Sequence, residues 1–319
     1  MPEPATSRPL RLFFVVTHAM TARLLLRGQL SFLGRRGFAV AVAAAPGSDL
    51  ERVRADEGVT VYPVPMTRRV SPLADLPALL RLRRAVGDFS PDIVNASTPK
   101  GGLLGSLAAR LARAPIRVYT LRGLPVETRT GLERRLLLAA ERRTCRSSHR
   151  VIAVSDSLRR RYLDLGLCEP AKIAVLGAGS SNGVDVERFS PATEPVAAAR
   201  ARLGLPAAGV LIVFVGRLTR DKGLVDLAAA FLDGMGGGDA PHLVLVGDYE
   251  AEDPVPDAVR ARLAACDRVH HLGFRDDVPA ILRCADVVAF PSHREGMPNV
   301  PLEAAACGLP VAGYRATGT

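Results

Sequence analysis

The chain has 319 residues, 48% hydrophobic and 23% charged, a balance that excludes a disordered polymer. No apolar run approaches the ~20 residues of a membrane helix, and the apolar core of the N-terminal MPEPATSRPLRLFFVV is too short for a secretion signal, so the expected location is the cytoplasm. The net charge of +10 hides an asymmetry: residues 1–190 carry 30 Lys+Arg against 16 Asp+Glu, and residues 191–319 carry 12 against 16, so the first half is suited to anionic partners such as lipid headgroups, nucleic acid or a phosphorylated substrate.

In chain order, the first half alternates apolar strand runs with helical stretches. The strands are expected at Leu12–Val16, Ala39–Ala45, Val59–Val64, Ile93–Asn95, Ile116–Thr120 and Val151–Val154. They are short and continuously apolar, as parallel strands buried on both faces are. Helices are expected over Thr21–Arg36, Leu73–Val86, Gly101–Ala112, Gly131–Cys145 and Asp156–Leu165, where Leu and Ala recur at helical spacing among Arg. The second half repeats the plan. Its strands are expected at Val210–Val215, His242–Val246, Val269–Leu272, Val287–Phe290 and Pro310–Ala312, and its helices at Lys222–Met235, Asp257–Ala265, Val278–Cys284 and Pro298–Cys307.

This alternation predicts an α/β fold of two Rossmann-like, doubly wound domains. They are placed at residues 1–180 and 206–319, joined by a polar linker over 181–205. The last strand runs into Tyr314–Thr319 and stops, so the chain is expected to be a fragment whose second domain lacks its final helices. The five cysteines, Cys145, Cys168, Cys266, Cys284 and Cys307, form no C-x-x-C pair. A structural zinc is therefore not expected, and reduced thiols packed as small apolar groups are.

Four strand ends carry candidate chemistry. Gly216-Arg217 closes one strand and is followed by Lys222-Gly223 at a helix start. Ligands of open α/β sheets bind beyond the carboxyl ends of strands, so Arg217 and Lys222 stand where phosphates would lie. Taken singly, they read equally well as solvated cations flanking a turn. Gly247 ends the next strand, and Gly273-Phe274-Arg275 the one after, where Phe274 or Arg275 could lie against a base. The fourth is PSHREGMPNVPLEA, with Glu295 ahead of a helix that starts near Pro298 and Glu303 inside it. Unpaired N–H groups at that helix start suit a diphosphate, and the two carboxylates suit sugar hydroxyls.

Gly216-Arg217-x4-Lys222-Gly223 together with Glu295-x7-Glu303 resembles the retaining glycosyltransferase family 4. The segments SLAARLARAPIRVYTLRGLP, VIAVSDSLRRR and VLGAGSSNGVDVERFSP resemble its bacterial subgroup that builds capsule, O-antigen and lipid-linked glycans. The resemblance implies the GT-B fold, with two Rossmann-like domains facing across a cleft. It implies transfer of a hexose or N-acetylhexosamine from a nucleotide sugar, UDP-linked by preference, to a sugar on undecaprenyl diphosphate. Arg217, Lys222 and Glu295 would be catalytic. Gly216, Phe274, Arg275, Gly296, Met297, Asn299, Val300 and Glu303 would bind the donor. Thr17, His18, Lys100, Arg122 and Gly123 would lie on the acceptor side. No cofactor and no metal are expected, since the cation pair does what a metal does elsewhere and no Asp-x-Asp occurs in the chain.

Two departures stand out. The Thr17–Thr21 loop lacks the paired Gly of many members, and Arg122 stands where many have His. Arg81-Leu82-Arg83-Arg84, Arg134-Arg135, Arg142-Arg143 and Arg159-Arg160-Arg161 could meet an anionic inner-membrane surface. Nucleic acid is disfavoured because no aromatics interleave with these clusters. A sugar-nucleotide epimerase or phosphorylase on the same fold, or a non-catalytic sugar-nucleotide-binding fragment, are the alternatives.

Overall fold

A computed structural model describes residues 8–67, 71–180, 182–192, 194–237 and 240–319. The chain divides into two compact units, one ending at Asn182 and the other beginning at Gly183.

The first unit runs β1 (Arg11–Val15), α1 (Ala19–Leu25), α2 (Gln29–Arg35), β2 (Ala39–Ala44), α3 (Ser48–Glu57), β3 (Thr60–Pro63), α4 (Pro72–Phe89), β4 (Ile93–Ser97), α5 (Pro99–Leu111), β5 (Ile116–Leu121), α6 (Gly131–Ser147), β6 (Arg150–Ala153), α7 (Asp156–Asp164) and β7 (Ile173–Val175). All seven strands are parallel, in the order β3-β2-β1-β4-β5-β6-β7. Side chains alternate across a strand, so β1 feeds two cores. Phe13 and Val15 pack with Leu82, Phe89 and Leu104 of α4 and α5. Leu12 and Phe14 pack with Ala22, Leu30 and Leu50 of α1, α2 and α3. Each such buried side chain contributes about 2 kcal/mol.

The second unit contains α8 (Val196–Arg202), β8 (Leu211–Val215), α9 (Leu224–Gly234), β9 (His242–Val246), α10 (Asp257–Ala264), β10 (Val269–Gly273), α11 (Val278–Leu282), β11 (Val287–Phe290), α12 (Asn299–Ala306) and β12 (Val311–Gly313). Its five parallel strands are ordered β10-β9-β8-β11-β12. In both sheets the chain winds outward from a first strand, then returns to wind the other way, as doubly wound folds do.

Two expectations need correction, and three elements were not anticipated. The single helix over Thr21–Arg36 is two helices, because Gly28 takes a left-handed φ of 72° between them. There the Glu57 carboxylate accepts from the N–H groups of Gly28 (2.6 Å) and Ser31 (2.9 Å), capping α2 from α3. Residues 183–205 are not a free linker but part of the second unit. Phe189, Ala199 and Leu205 enter its core, and the buried Arg200 guanidinium donates to the carbonyls of Cys284 and Gly209 and to Asp286. The unanticipated elements are α3, β7 and α8, which carry little sequence signal: α3 buries only Leu50 and Val53, and β7 has three residues. Among the described residues no helix is long and apolar enough to cross a membrane.

Candidate active site

The switch of winding direction in the second sheet falls between β8 and β11, which are neighbours. Loops leaving two such strands part to opposite faces and leave a crevice at their carboxyl ends. Gly216–Gly223 leaves β8 and Pro291–Pro298 leaves β11, so segments over seventy residues apart in sequence meet. Gly223 fixes how closely. It has a left-handed φ of 75°, and a Cβ there would stand 1.9 Å from the Pro291 carbonyl oxygen. Only glycine lets these loops touch.

The contact places Lys222 Nζ 2.5 Å from Glu295 Oε1. Beside it, Arg217 donates from Nη1 to Glu250 Oε2 at 2.7 Å, and its Nη2 lies 3.5 Å from Asp221 Oδ2. Asp221 is the hub. Its carboxylate accepts from the Thr219 hydroxyl (2.5 Å) and from Arg294 Nη2 (2.7 Å), while its own N–H donates to Asp253 at 2.7 Å. The Asp221 carbonyl accepts from the N–H of His293 at 3.0 Å, which stitches the two loops through backbone as well. Three cations, Arg217, Lys222 and Arg294, thus converge with four carboxylates, Asp221, Glu250, Asp253 and Glu295.

Burial by itself would raise the Asp221 carboxyl. The Thr219 hydroxyl and the charges of Arg294, Arg217 and Lys222 outweigh it and hold the group below the ordinary Asp value. Burial pulls the Arg217 guanidinium down, but Asp221 and Glu250 more than compensate and leave it raised. Both groups are therefore fixed charges at neutral pH.

The β11 loop is also held from behind. The Glu295 N–H donates to the Thr317 carbonyl at 2.9 Å, and Gly318 lies so close that a Cβ would come within 2.6 Å of the Glu295 backbone. The loop then enters α12, whose cap is Pro298 and whose first turn carries no acidic residue. With no carboxylate in that turn, the N-terminal end of α12 keeps the positive potential of its dipole. Gly296 is buried, and Met297, Asn299, Val300 and Glu303 are half-buried around this turn. Burial raises the Glu303 carboxyl, opposed by the charge of Arg188.

Phe274 and Arg275 follow β10, two strands from β8. Phe274 is exposed, with its N–H on Asp248 Oδ1 at 3.2 Å. Arg275 is engaged by its own loop through two bonds to Asp277, of 2.7 and 2.6 Å. The structure thus joins Arg217, Lys222 and Glu295 in one network but leaves Phe274 and Arg275 outside it.

In the first unit, the winding reverses between β1 and β4. Thr17 and His18 follow β1, Lys100 follows β4, and Arg122 and Gly123 follow β5. Thr17 is buried. Its hydroxyl bonds the Thr98 hydroxyl (2.8 Å) and accepts from the Gly101 N–H (3.0 Å), so it fastens the start of α5. His18 is the cap of α1. Lys100 is buried with its ammonium 2.7 Å from Asp75. Burial pulls the Arg122 guanidinium down to about 10. Among the Arg clusters, Arg161 pairs with Glu127, and Arg159 and Arg142 donate to backbone carbonyls.

Sequence reasoning missed Thr219, Asp221, Glu250, Asp253 and Arg294. Asp221 and Arg294 lay inside motifs already singled out, and an acid one residue before Lys222 was the available signal. Glu250 and Asp253 sit in a loop after β9 with no pattern of their own.

Residues 17–179 match the glycosyl transferase 4-like domain, and residues 209–319 match glycosyl transferases group 1. The capsular polysaccharide biosynthesis glycosyltransferase CapM of Staphylococcus aureus is 31% identical, over 97% of this chain and 80% of that protein. The UDP-Gal:alpha-D-GlcNAc-diphosphoundecaprenol alpha-1,3-galactosyltransferase of Escherichia coli is also 31% identical, over 80% of this chain and 66% of that protein. The crystal structure of Anabaena HepE in complex with UDP and glucose has the same fold, with a TM-score of 0.79 at 23% identity over 97% of this chain and 82% of that one. Two family domains that together take in most of the chain, on a GT-B fold, make it a member of the glycosyl transferase 4-like and group 1 family, and a glycosyltransferase.

Proposed function

We propose that this chain moves a hexose or N-acetylhexosamine from a UDP-sugar to a sugar carried on a lipid diphosphate, with retention of anomeric configuration and without a metal. The observation that carries the reading is the Lys222–Glu295 pair at the β8/β11 switch point. It sets an ammonium for phosphate beside a carboxylate for sugar hydroxyls, where the donor's two halves join. The undecaprenol-linked acceptor in the name of the Escherichia coli relative supports the acceptor class.

In this reading Arg217, Lys222 and the N-terminus of α12 face the diphosphate. Negative charge grows there as the anomeric bond breaks, and preorganised positive charge lowers the barrier by several kcal/mol. Glu295 accepts from donor-sugar hydroxyls, Glu303 from ribose hydroxyls, and Phe274 lies beside the base. Gly216, Gly296, Met297, Asn299 and Val300 offer backbone to sugar and phosphate. Asp221 and Arg294 position the cations. The acceptor hydroxyl approaches the face that the diphosphate leaves, and a departing phosphate oxygen takes its proton. The acceptor lies against Thr17, His18, Arg122 and Gly123, and the first unit's surplus of Arg meets an anionic membrane from the cytoplasmic side.

The test is UDP release from a panel of UDP-sugars, with and without an undecaprenyl-diphosphate-linked sugar and with and without EDTA. Acceptor-dependent turnover that survives EDTA is expected, with an α-linked product by NMR from an α-linked donor. Lys222→Ala or Glu295→Ala should lower kcat by roughly 10²–10³-fold. An inverted product, EDTA-sensitive turnover or acceptor-independent conversion of the donor would each overturn this reading.

A further inference from the structure

The first unit holds a second cluster of reactive side chains that glycosyl transfer does not use. A surface hollow of about 370 Å³ lies between the last turns of α6 and the segment that joins α7 to β7. Its lining includes Arg142, Cys145, Arg146, Cys168, Glu169 and Lys172. Three cations therefore surround two thiols, with one carboxylate among them, and Glu169 is 3.5 Å from Lys172. The two cysteines come from different elements, 23 positions apart, and meet only through the fold.

Their surroundings differ. Cys145 is buried at 2% exposure and sits one helical turn beyond Glu141, which is itself buried. Cys168 is half-buried at the rim. The neighbouring Cys168 thiol and burial push the Cys145 thiol upward, with Glu141 adding to it. The neighbouring Cys145 thiol lowers that of Cys168, and Lys172 lowers it further against the opposing effects of burial and Glu169. An accessible sulfur that favours the thiolate thus faces a covered one that keeps its proton. A thiolate is the attacking species in exchange, and a neighbouring cation favours it.

We propose that Cys145 and Cys168 are a thiol–disulfide exchange site for small anionic disulfides, which closes to an intramolecular disulfide tying the end of α6 to the segment before β7. The Cys168 thiolate attacks one sulfur of the disulfide RSSR. A Cys168–SR bond forms, the RS–SR bond breaks, and RS⁻ leaves and takes a proton from solvent. Cys145 then gives its proton to solvent and attacks the Cys168 sulfur. The protein disulfide forms and a second RS⁻ leaves and is protonated. The two cysteines lose two electrons in total, and RSSR gains them to become two RSH. Cys145 never has to meet the oxidant, which its burial would prevent. Arg142, Arg146 and Lys172 draw an anionic reagent to the hollow and give the exchange its preference.

The experiment treats the folded protein with oxidised glutathione, which is anionic, and in parallel with cystamine, which is cationic. Intact mass, peptide mapping and thiol counts are followed at low and high salt. Two of the five thiols are expected to disappear, with a mapped Cys145–Cys168 link that dithiothreitol reverses. Cys145→Ser should stop at a single glutathionyl adduct on Cys168, and Cys168→Ser should leave Cys145 unmodified. Oxidised glutathione should react roughly tenfold faster than cystamine at low salt, with the gap closing at high salt. Adducts spread equally onto Cys266, a Cys145–Cys168 link that forms only in urea, or equal rates with the two reagents would overturn the proposal. None of these readouts depends on turnover, so they stand or fall separately from the transferase reading.

Discussion

At the scale of single residues, Asp221 sets the behaviour of the charge cluster at the β8 and β11 strand ends. It holds Arg294 at 2.7 Å and stands 3.5 Å from Arg217, so it fixes where two positive charges point. Asp221→Asn keeps the shape and removes the charge. The expected outcome is a KM for the nucleotide sugar raised about tenfold, a loss near 1.4 kcal/mol, with an unchanged circular dichroism spectrum. Steady-state kinetics on the purified variant checks it. Gly223 is the steric counterpart. Gly223→Ala sets a methyl group 1.9 Å from the Pro291 oxygen in a left-handed conformation, so the loops must separate. The expected cost is about 3 kcal/mol, together with loss of turnover, and urea unfolding measures it.

At the scale of elements, α6 carries a pH dependence. Glu141 is buried, and both Tyr119 (3.1 Å) and Tyr162 (2.6 Å) donate to its Oε2. Burial pushes its carboxyl up to about 7, with the two hydroxyls limiting the rise. A carboxyl raised on folding binds its proton in the native state at pH values where the unfolded chain has released it. Its contribution is therefore complete below the ordinary Glu value and is lost as pH climbs through 7. The loss is on the order of 3 kcal/mol. Glu141→Gln keeps an oxygen for both tyrosines and removes the titration. Urea midpoints should fall between pH 5 and pH 8 in the parent, and fall less in the variant; parallel slopes would contradict this. The N-cap of α7 gives a smaller test. Ser155 accepts from the Leu158 N–H, and Ser155→Ala should cost about 1 kcal/mol.

At the scale of the molecule, each unit has its own sheet and its own paired cores. The charge divides along the same line: residues 1–182 hold 29 Lys+Arg against 14 Asp+Glu. Residues 1–182 and 183–319, produced separately, should each show a cooperative unfolding transition, and only the first should bind vesicles rich in anionic lipid, in a salt-sensitive way. A first unit that ignores such vesicles would remove the membrane arm of the proposed function.

The sequence by itself determined the two-sheet α/β plan. Strands buried on both faces must be continuously apolar, and the helices covering them must show a stripe, so β1, β2, β8, β9 and β11 are legible from their residues alone. It also singled out Arg217, Lys222, Glu295 and Glu303 as candidates, because strand-end loops that precede helices are written in consecutive residues. Elements with little apolar face, such as α3, left no such mark. The pairing of Lys222 with Glu295, the hub at Asp221 and the meeting of Cys145 with Cys168 were decided only by the tertiary structure. Each joins segments brought together by strand order and loop packing, and no local period or spacing encodes which strand will lie beside which.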